Sequence, residues 1–306
     1  MTTESPTTCG AAVRSSDWLG RIVCGDNTEV LSGFPDACID LVVTSPPYDD
    51  LRTYGGHSWN FEALAAQLVR VLKPGGVIVW VVADATVNGS ETLTSMRQAI
   101  HFKDVCGLNV HDTMTYEKHN PPPTGSGRYY QAWEYMMVLS KGKPKAFNAI
   151  LEPRRNVCGD KRTHRVKGFE RDKNGNVQKK EYHIRENVPR RNVWSYLVNG
   201  GSSADDAMFA HAHPAIFPIA LAKDHVASWS NPGDVVLDPF AGSGTTLKAA
   251  KELNRQWCGI EINPEYCAIA EARLSQDVLQ LETCAMRPNV RFSDSPSGSG
   301  ESTKTP

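Results

Sequence analysis

The sequence predicts an α/β chain: a mostly parallel sheet with helices on both faces, interrupted by an inserted basic region. Three observations carry this. Apolar runs such as Ile39-Asp40-Leu41-Val42-Val43-Thr44, Val77 to Val82 and Val235-Val236-Leu237 are too continuous for a sheet with one wet face. A stretch with helical spacing follows several of these runs. The runs also stop at proline or glycine clusters, where a strand gives way to a loop. At 306 residues with 40% hydrophobic content, the chain has the length for two domains or for one large domain with an insertion.

Charge and cysteine usage narrow the class. The 33 basic against 34 acidic residues exclude an acidic disordered tail and a uniformly basic coat protein. No apolar run approaches the roughly 18 residues needed to span a bilayer, and Met1-Thr2-Thr3-Glu4-Ser5 lacks the pattern of a secretory signal, so a soluble cytoplasmic protein is expected. The eight cysteines contain no Cys-x-x-Cys pair, and the histidines come close together only at His211 and His213. No metal site is expected.

The elements follow in order. Arg21-Ile22-Val23-Cys24 reads as a buried strand ending at Gly25-Asp26. Ile39 to Thr44 is a second, halted at Ser45-Pro46-Pro47-Tyr48 because proline supplies no ladder donor. Phe61, Leu64, Ala65, Leu68 and Leu72 recur at helical spacing, and the Lys73-Pro74-Gly75-Gly76 turn leads into the strand Val77 to Val82. A helix over Leu93 to Phe102, a strand near Leu108 to Tyr116, a proline-rich loop and a strand from Trp133 to Leu139 come next. Residues 151–191 then hold thirteen Lys or Arg against six Asp or Glu, about +7, leaving about −8 for the remainder. Inside this segment Lys173-Asn174-Gly175-Asn176 predicts a hairpin whose Asn and Gly both take positive φ. A helix from Ile216 to Trp229, the strand at Val235, a glycine turn, a helix to Leu253 and a strand from Trp257 to Ile260 complete the chain.

The glycine turn carries the first chemical signal. Asp238-Pro239-Phe240-Ala241-Gly242-Ser243-Gly244-Thr245-Thr246 lies between a buried strand and a helix, and Glu261 ends the next strand 23 residues after Asp238. This is the first half of a nucleotide-binding unit: glycines let the backbone approach a ligand, and the acid accepts ribose hydroxyl hydrogens. A triphosphate lacks its Gly-Lys-Ser/Thr, and a pyrophosphate would be repelled by Asp238. That carboxylate suits a cationic ammonium or sulfonium group, so S-adenosylmethionine fits better than NAD.

The second signal is Ser45-Pro46-Pro47-Tyr48 at the carboxyl end of a parallel strand, where open α/β sheets hold ligands. Two prolines stiffen the backbone and make the Pro46 carbonyl a fixed acceptor. Ser45 offers a second acceptor, and Tyr48 an aromatic face. Such a set receives a planar group bearing NH₂ and localises its nitrogen lone pair for attack on a methyl sulfonium.

Together these motifs make the sequence resemble the amino-methylating DNA methyltransferases whose catalytic half precedes the cofactor half. The resemblance spans residues 20 to 275 and includes Gly25-Asp26, Thr44-Ser45-Pro46-Pro47-Tyr48, Lys118-His119-Asn120-Pro121, Arg191-Asn192-Val193-Trp194, His213-Pro214-Ala215-Ile216-Phe217-Pro218, the Asp238 to Thr246 motif and Glu261-Ile262-Asn263-Pro264-Glu265-Tyr266. It implies a Rossmann-like S-adenosylmethionine-dependent methyltransferase fold. The implied parts are a catalytic half over 18–147, a target-recognition insert over 148–205 and a cofactor half over 206–285; the Ser-, Thr-, Pro- and Gly-rich ends at 1–17 and 286–306 are expected to be flexible on composition alone. Ser45, Pro46, Pro47 and Tyr48 are the implied catalytic residues. Asp26, Thr44, His213, Asp238, Pro239, Phe240, Gly242, Gly244, Thr245, Glu261 and Asn263 are the implied cofactor contacts.

The implied substrate is a base in double-stranded DNA, rotated out of the stack. The basic insert then neutralises phosphates and reads base edges. Its expected contacts are Arg154, Arg155, Lys161, Arg162, Arg165, Lys167, Arg171, Lys173, Lys179 and Lys180, with Arg52 from the loop beside the catalytic motif. Serine at the first catalytic position looks more like the cytosine-N4 members than the adenine-N6 members, and both products stay open. Methylation of RNA or protein, and an inactive DNA-binding module, are the rival readings. Monomer and homodimer stay open as well.

Overall fold

The computed structural model describes residues 17–47, 59–121, 127–154, 165–183, 185–197 and 218–275. An eight-stranded sheet runs through them. Its first half comprises β1 (Arg21–Cys24), β2 (Ile39–Thr44) and β3 (Leu72–Val82), with α1 (Asn27–Ser32) and α2 (Phe61–Val71) as crossovers. A two-residue pair, β4 (Thr86–Val87) and β5 (Ser90–Glu91), precedes α3 (Thr94–Asp104), β6 (Asn109–Lys118) and β7 (Trp133–Ser140). The basic segment contributes β8 (Leu151–Pro153), β9 (Arg165–Arg171), β10 (Val177–His183), β11 (Asn187–Pro189) and β12 (Val193–Tyr196). The chain returns through α4 (Ile219–Trp229), β13 (Val235–Asp238), α5 (Thr245–Glu252), β14 (Gln256–Glu261) and α6 (Pro264–Ser275).

The sheet order is β1-β14-β13-β2-β3-β7-β6-β12, with β7 running against the others. The continuous apolar runs are explained by burial on both faces. Along β3, Ile78, Trp80 and Val82 pack with α1, α2 and α3 residues such as Leu31, Leu68 and Phe102. The alternate residues Val77, Val79 and Val81 pack with Leu221 and Val226 of α4 and Ala249 of α5. The two-residue strand period therefore divides one apolar run between two separate cores.

Several expectations change in detail. The Lys73-Pro74-Gly75-Gly76 turn is absorbed into β3 as an irregularity, the pairing with β2 passing from Ile39↔Leu72 to Leu41↔Val77. Gly76 is required there, since a Cβ would stand 2.9 Å from the backbone Lys73 O. The hairpin forms, β9 pairing antiparallel with β10, but of its two expected positive-φ residues only Gly175 has one, at +83°. The reason is Asp172: its Oδ1 accepts from the N–H of Asn174 (2.8 Å) and of Asn176 (2.9 Å) while its own N–H donates to Asn176 O (3.0 Å), which closes residues 173–175 into a three-residue loop instead of a two-residue turn. Within the described residues the fourth helix starts at Ile219, with Pro218 as its cap.

The central sheet also takes its edge strand from within the segment assigned to the insert, β12 pairing parallel with β6. Arg190 secures this junction. Its Nε donates to Glu152 Oε1 and its Nη1 to Asp224 Oδ2, both at 2.7 Å, while the Tyr196 hydroxyl donates to the same Asp224 oxygen at 2.6 Å. No helix among the described residues is long and apolar enough to cross a membrane.

Candidate active site

The motif residues come together because of the sheet order. The crossover from β13 through α5 to β14 leads toward β1, whereas that from β2 through α2 to β3 leads the other way. The crevice between the carboxyl ends of β13 and β2 is a topological switch point, the place where open α/β sheets bind ligands. Thr44 ends β2 and Asp238 ends β13. The Thr44 hydroxyl donates to Asp238 Oδ1 at 2.7 Å, so the two motifs share one rim.

Asp238 is 2% exposed. Burial pushes its carboxyl up from the ordinary 3.8 to about 6, against the opposing pull of hydrogen bonds from Thr44, the Phe240 N–H and Thr246. A desolvated carboxylate of this kind gains from a cationic ligand. Glu261, at the next strand end, is held at both oxygens: Oε2 accepts from the Gly242 N–H at 2.8 Å and Oε1 from the Asn263 N–H at 2.9 Å. The glycine loop between them needs its glycines. Gly244 has φ +78°, and a Cβ on it would stand 3.2 Å from that of Ala270.

Comparison with known proteins decides what this rim belongs to. A family model described as DNA methylase, of the N6/N4 methyltransferase type, matches residues 39–272. The orphan methyltransferase M.BamHII of Bacillus amyloliquefaciens is 50% identical over 248 residues, covering 80% of this chain and 91% of that protein. The chain belongs to this DNA methylase family. The type II methyltransferase M.SmaI of Serratia marcescens is 28% identical over 297 residues, covering 83% of this chain and 90% of that one. Among solved structures, the fold is shared with a PvuII DNA methyltransferase described as cytosine-N4-specific, at TM-score 0.62 and 23% identity, covering 84% of this chain and 86% of that chain. It is shared also with a complex of M1.HpyAVI with S-adenosylmethionine, at TM-score 0.55 and 24% identity, covering 84% and 99%.

The methylase is an S-adenosylmethionine-dependent DNA amino methyltransferase, and its rim fits that cofactor. A buried acid that has no cationic partner among the described residues, a carboxylate fixed for hydroxyl contacts and a loop whose backbone favours glycine suit, in turn, the charged methionine end, the ribose and the connecting atoms.

Several expected cofactor residues also hold the local structure together. Thr44 is fully buried and orients Asp238. Thr245 is 5% exposed, and its hydroxyl accepts from Arg273. Asn263 caps α6 through Oδ1, which accepts from the Glu265 N–H at 2.8 Å. Asp26 Oδ1 caps α1, accepting from the N–H groups of Thr28 and Glu29. Its neighbour Asn27 reaches across instead, Nδ2 donating to Pro239 O at 3.2 Å. Phe240 meets Trp59 edge-on, ring centroids 5.1 Å apart. His213, Tyr48, Arg52, Arg155, Lys161 and Arg162 lie outside the described residues, as does the interior of the loop after Pro47.

The sequence reading missed Arg273. It is 4% exposed on α6, and its Nη1 donates to Ser243 O (3.2 Å), Ser243 Oγ (3.3 Å) and Thr245 Oγ1 (2.9 Å), fastening the glycine loop from behind. The available signal was periodicity: Cys267, Ala270 and Leu274 mark the buried face of α6, and Arg273 falls among them.

In the basic ribbon the register sorts the cations. Arg171 pairs with Val177 and Lys179 with Phe169, on the face that also carries strand positions 165 and 167. Lys180 is on the other face, in an ion pair with Glu170 at 2.6 Å. Lys173 lies in the loop, and Arg154 continues the β8–β11 pairing by donating its N–H to Glu186 O.

Proposed function

We propose that the methylase transfers the methyl group to the N4 amine of a cytosine rotated out of duplex DNA, with Ser45, Pro46, Pro47 and Tyr48 receiving the base and the 148–205 segment selecting the site. The observation carrying the reading is the 2.7 Å bond between Thr44 and Asp238, which sets the base-side and cofactor-side motifs on one rim. The choice of cytosine rests on Ser45 and on the likeness to a cytosine-N4-specific enzyme.

Bound S-adenosylmethionine supplies an electrophilic methyl carbon on a cationic sulfur. The chain's own part is to prepare the amine and hold it there. The Ser45 hydroxyl oxygen and the Pro46 carbonyl would accept the two amino hydrogens, so that the nitrogen lone pair withdraws from the ring and becomes nucleophilic. The cofactor would give up its methyl group as a neutral thioether, and the surplus amine proton would pass to solvent. Asp238 holds the cationic end of the cofactor, Glu261 its ribose, and Tyr48 stacks on the base.

The test is to methylate unmodified genomic DNA in vitro, digest it and weigh the nucleosides. N4-methylcytosine is expected. N6-methyladenine would overturn the base assignment, and loss of no activity in Ser45→Ala would overturn the role of the motif.

A further inference from the structure

A second feature of the same rim is not used by the transfer step. Because β7 runs against its neighbours, its first residues project at the carboxyl end of the sheet: Tyr135 pairs with Val82, the last residue of β3, and Trp133 with Glu117 near the end of β6. Just before β7, Tyr129 is 99% and Tyr130 61% exposed, and Trp133 itself is 41% exposed. The same rim continues through the Lys118 N–H donating to Ala132 O at 2.6 Å and the His119 N–H donating to Tyr196 O at 3.2 Å, after which Leu197 is also exposed. The segment is anchored: the Arg128 guanidinium bonds Gly89 O and approaches Glu91 Oε1 at 3.4 Å, tying it to the β4–β5 turn.

Its distance from the reaction follows from register. Thr44 is level with Trp80, and Trp80 with Met137, so Trp133 stands two strands from β2 and four residues beyond Thr44. That is about 10 Å across the sheet and about 13 Å outward. Five base pairs at 3.4 Å each span about 17 Å, so these rings lie within reach of a duplex that delivers a base to Ser45.

We infer that Tyr130 and Trp133 form an aromatic DNA-contact surface, stacking on bases of the duplex that is unstacked around the extruded nucleotide. Tyr129, Tyr130 and Trp133 stand exposed within five residues of one another, and exposed apolar patches mark interaction sites. Base–aromatic stacking is independent of sequence and survives salt, which separates this surface from the basic ribbon. The inference rests on the rim around Ser45 being the site of base entry.

The experiment uses the full chain and a duplex carrying the recognition site mapped by sequencing of in vitro methylated DNA. Tyr130→Ala and Trp133→Ala are each expected to weaken duplex binding about tenfold, a typical stacking loss. The slope of log affinity against log salt and the affinity for S-adenosylmethionine stay as they were, and Trp133→Phe recovers most of the binding. Unchanged DNA affinity in both Tyr130→Ala and Trp133→Ala overturns the inference. So does a shift in sedimentation from dimer to monomer in these variants, which would make a second copy of the chain the occupant. Failure of the catalytic reading is visible separately, as retained methyl transfer in Ser45→Ala while the aromatic variants still lose DNA binding.

Discussion

The Thr44 hydroxyl, at the end of β2, donates to the Asp238 carboxylate at the end of β13, across 194 residues of sequence and at 2.7 Å. This bond stabilises the charged form of an acid that burial pushes toward the neutral one. The balance between the two effects makes the cofactor rim sensitive to pH and to small substitutions.

Asp238→Asn is expected to weaken S-adenosylmethionine binding by on the order of a hundredfold, the effect of removing one partner of a buried charge pair. The same change raises the thermal stability of the cofactor-free protein. The carboxyl is raised in the folded chain, from 3.8 to about 6, so the fold binds the extra proton and stability falls as pH rises between those values. Asparagine abolishes that penalty. Calorimetric titration and a melting scan check the two halves; a lower melting temperature would show that the carboxylate is not under strain from burial.

Cofactor affinity itself is expected to fall as pH drops through about 6, because protonated Asp238 offers no charge to the cationic end. Thr44→Val removes a hydrogen bond that favours ionisation, so the fall moves to higher pH. Binding titrations across pH 5 to 8 measure both curves, and coincident curves would remove Thr44 from the ionisation of Asp238.

Arg273→Met leaves the Ser243 carbonyl and the Thr245 hydroxyl without their donor in a buried setting. The expected loss is about 1–3 kcal/mol of stability, with a raised KM for S-adenosylmethionine and a kcat close to that of the parent. Arg273→Lys recovers part of it. A kcat effect larger than the KM effect would mean that the arginine does more than hold the loop.

The ribbon register predicts unequal roles for adjacent lysines. Lys179→Ala lowers the salt slope of DNA binding by about 1, as expected for one phosphate contact. Lys180→Ala lowers it less, because its partner Glu170 on the same face already compensates the charge. Equal slopes for the two variants would place the phosphates on both faces or neither.

The sequence by itself determined the chemistry and the layers. Strands buried on both faces, helices between them, an Asp-Pro-Phe-x-Gly-x-Gly loop and a Ser-Pro-Pro-Tyr strand end are local patterns, each written in a few consecutive residues whose backbone needs are specific. The hairpin at Gly175 was legible for the same reason, though its loop type was not, since Asp172 sets it through hydrogen bonds that the Asn-Gly pair does not announce. Only the tertiary structure decided that Thr44 supports Asp238, that Asn27 reaches Pro239, that Arg273 clamps the loop and that β7, running against its neighbours, starts at the carboxyl end of the sheet. These depend on which strands lie side by side and in which direction, and strand order is fixed by packing between residues far apart in the chain, which local patterns do not encode.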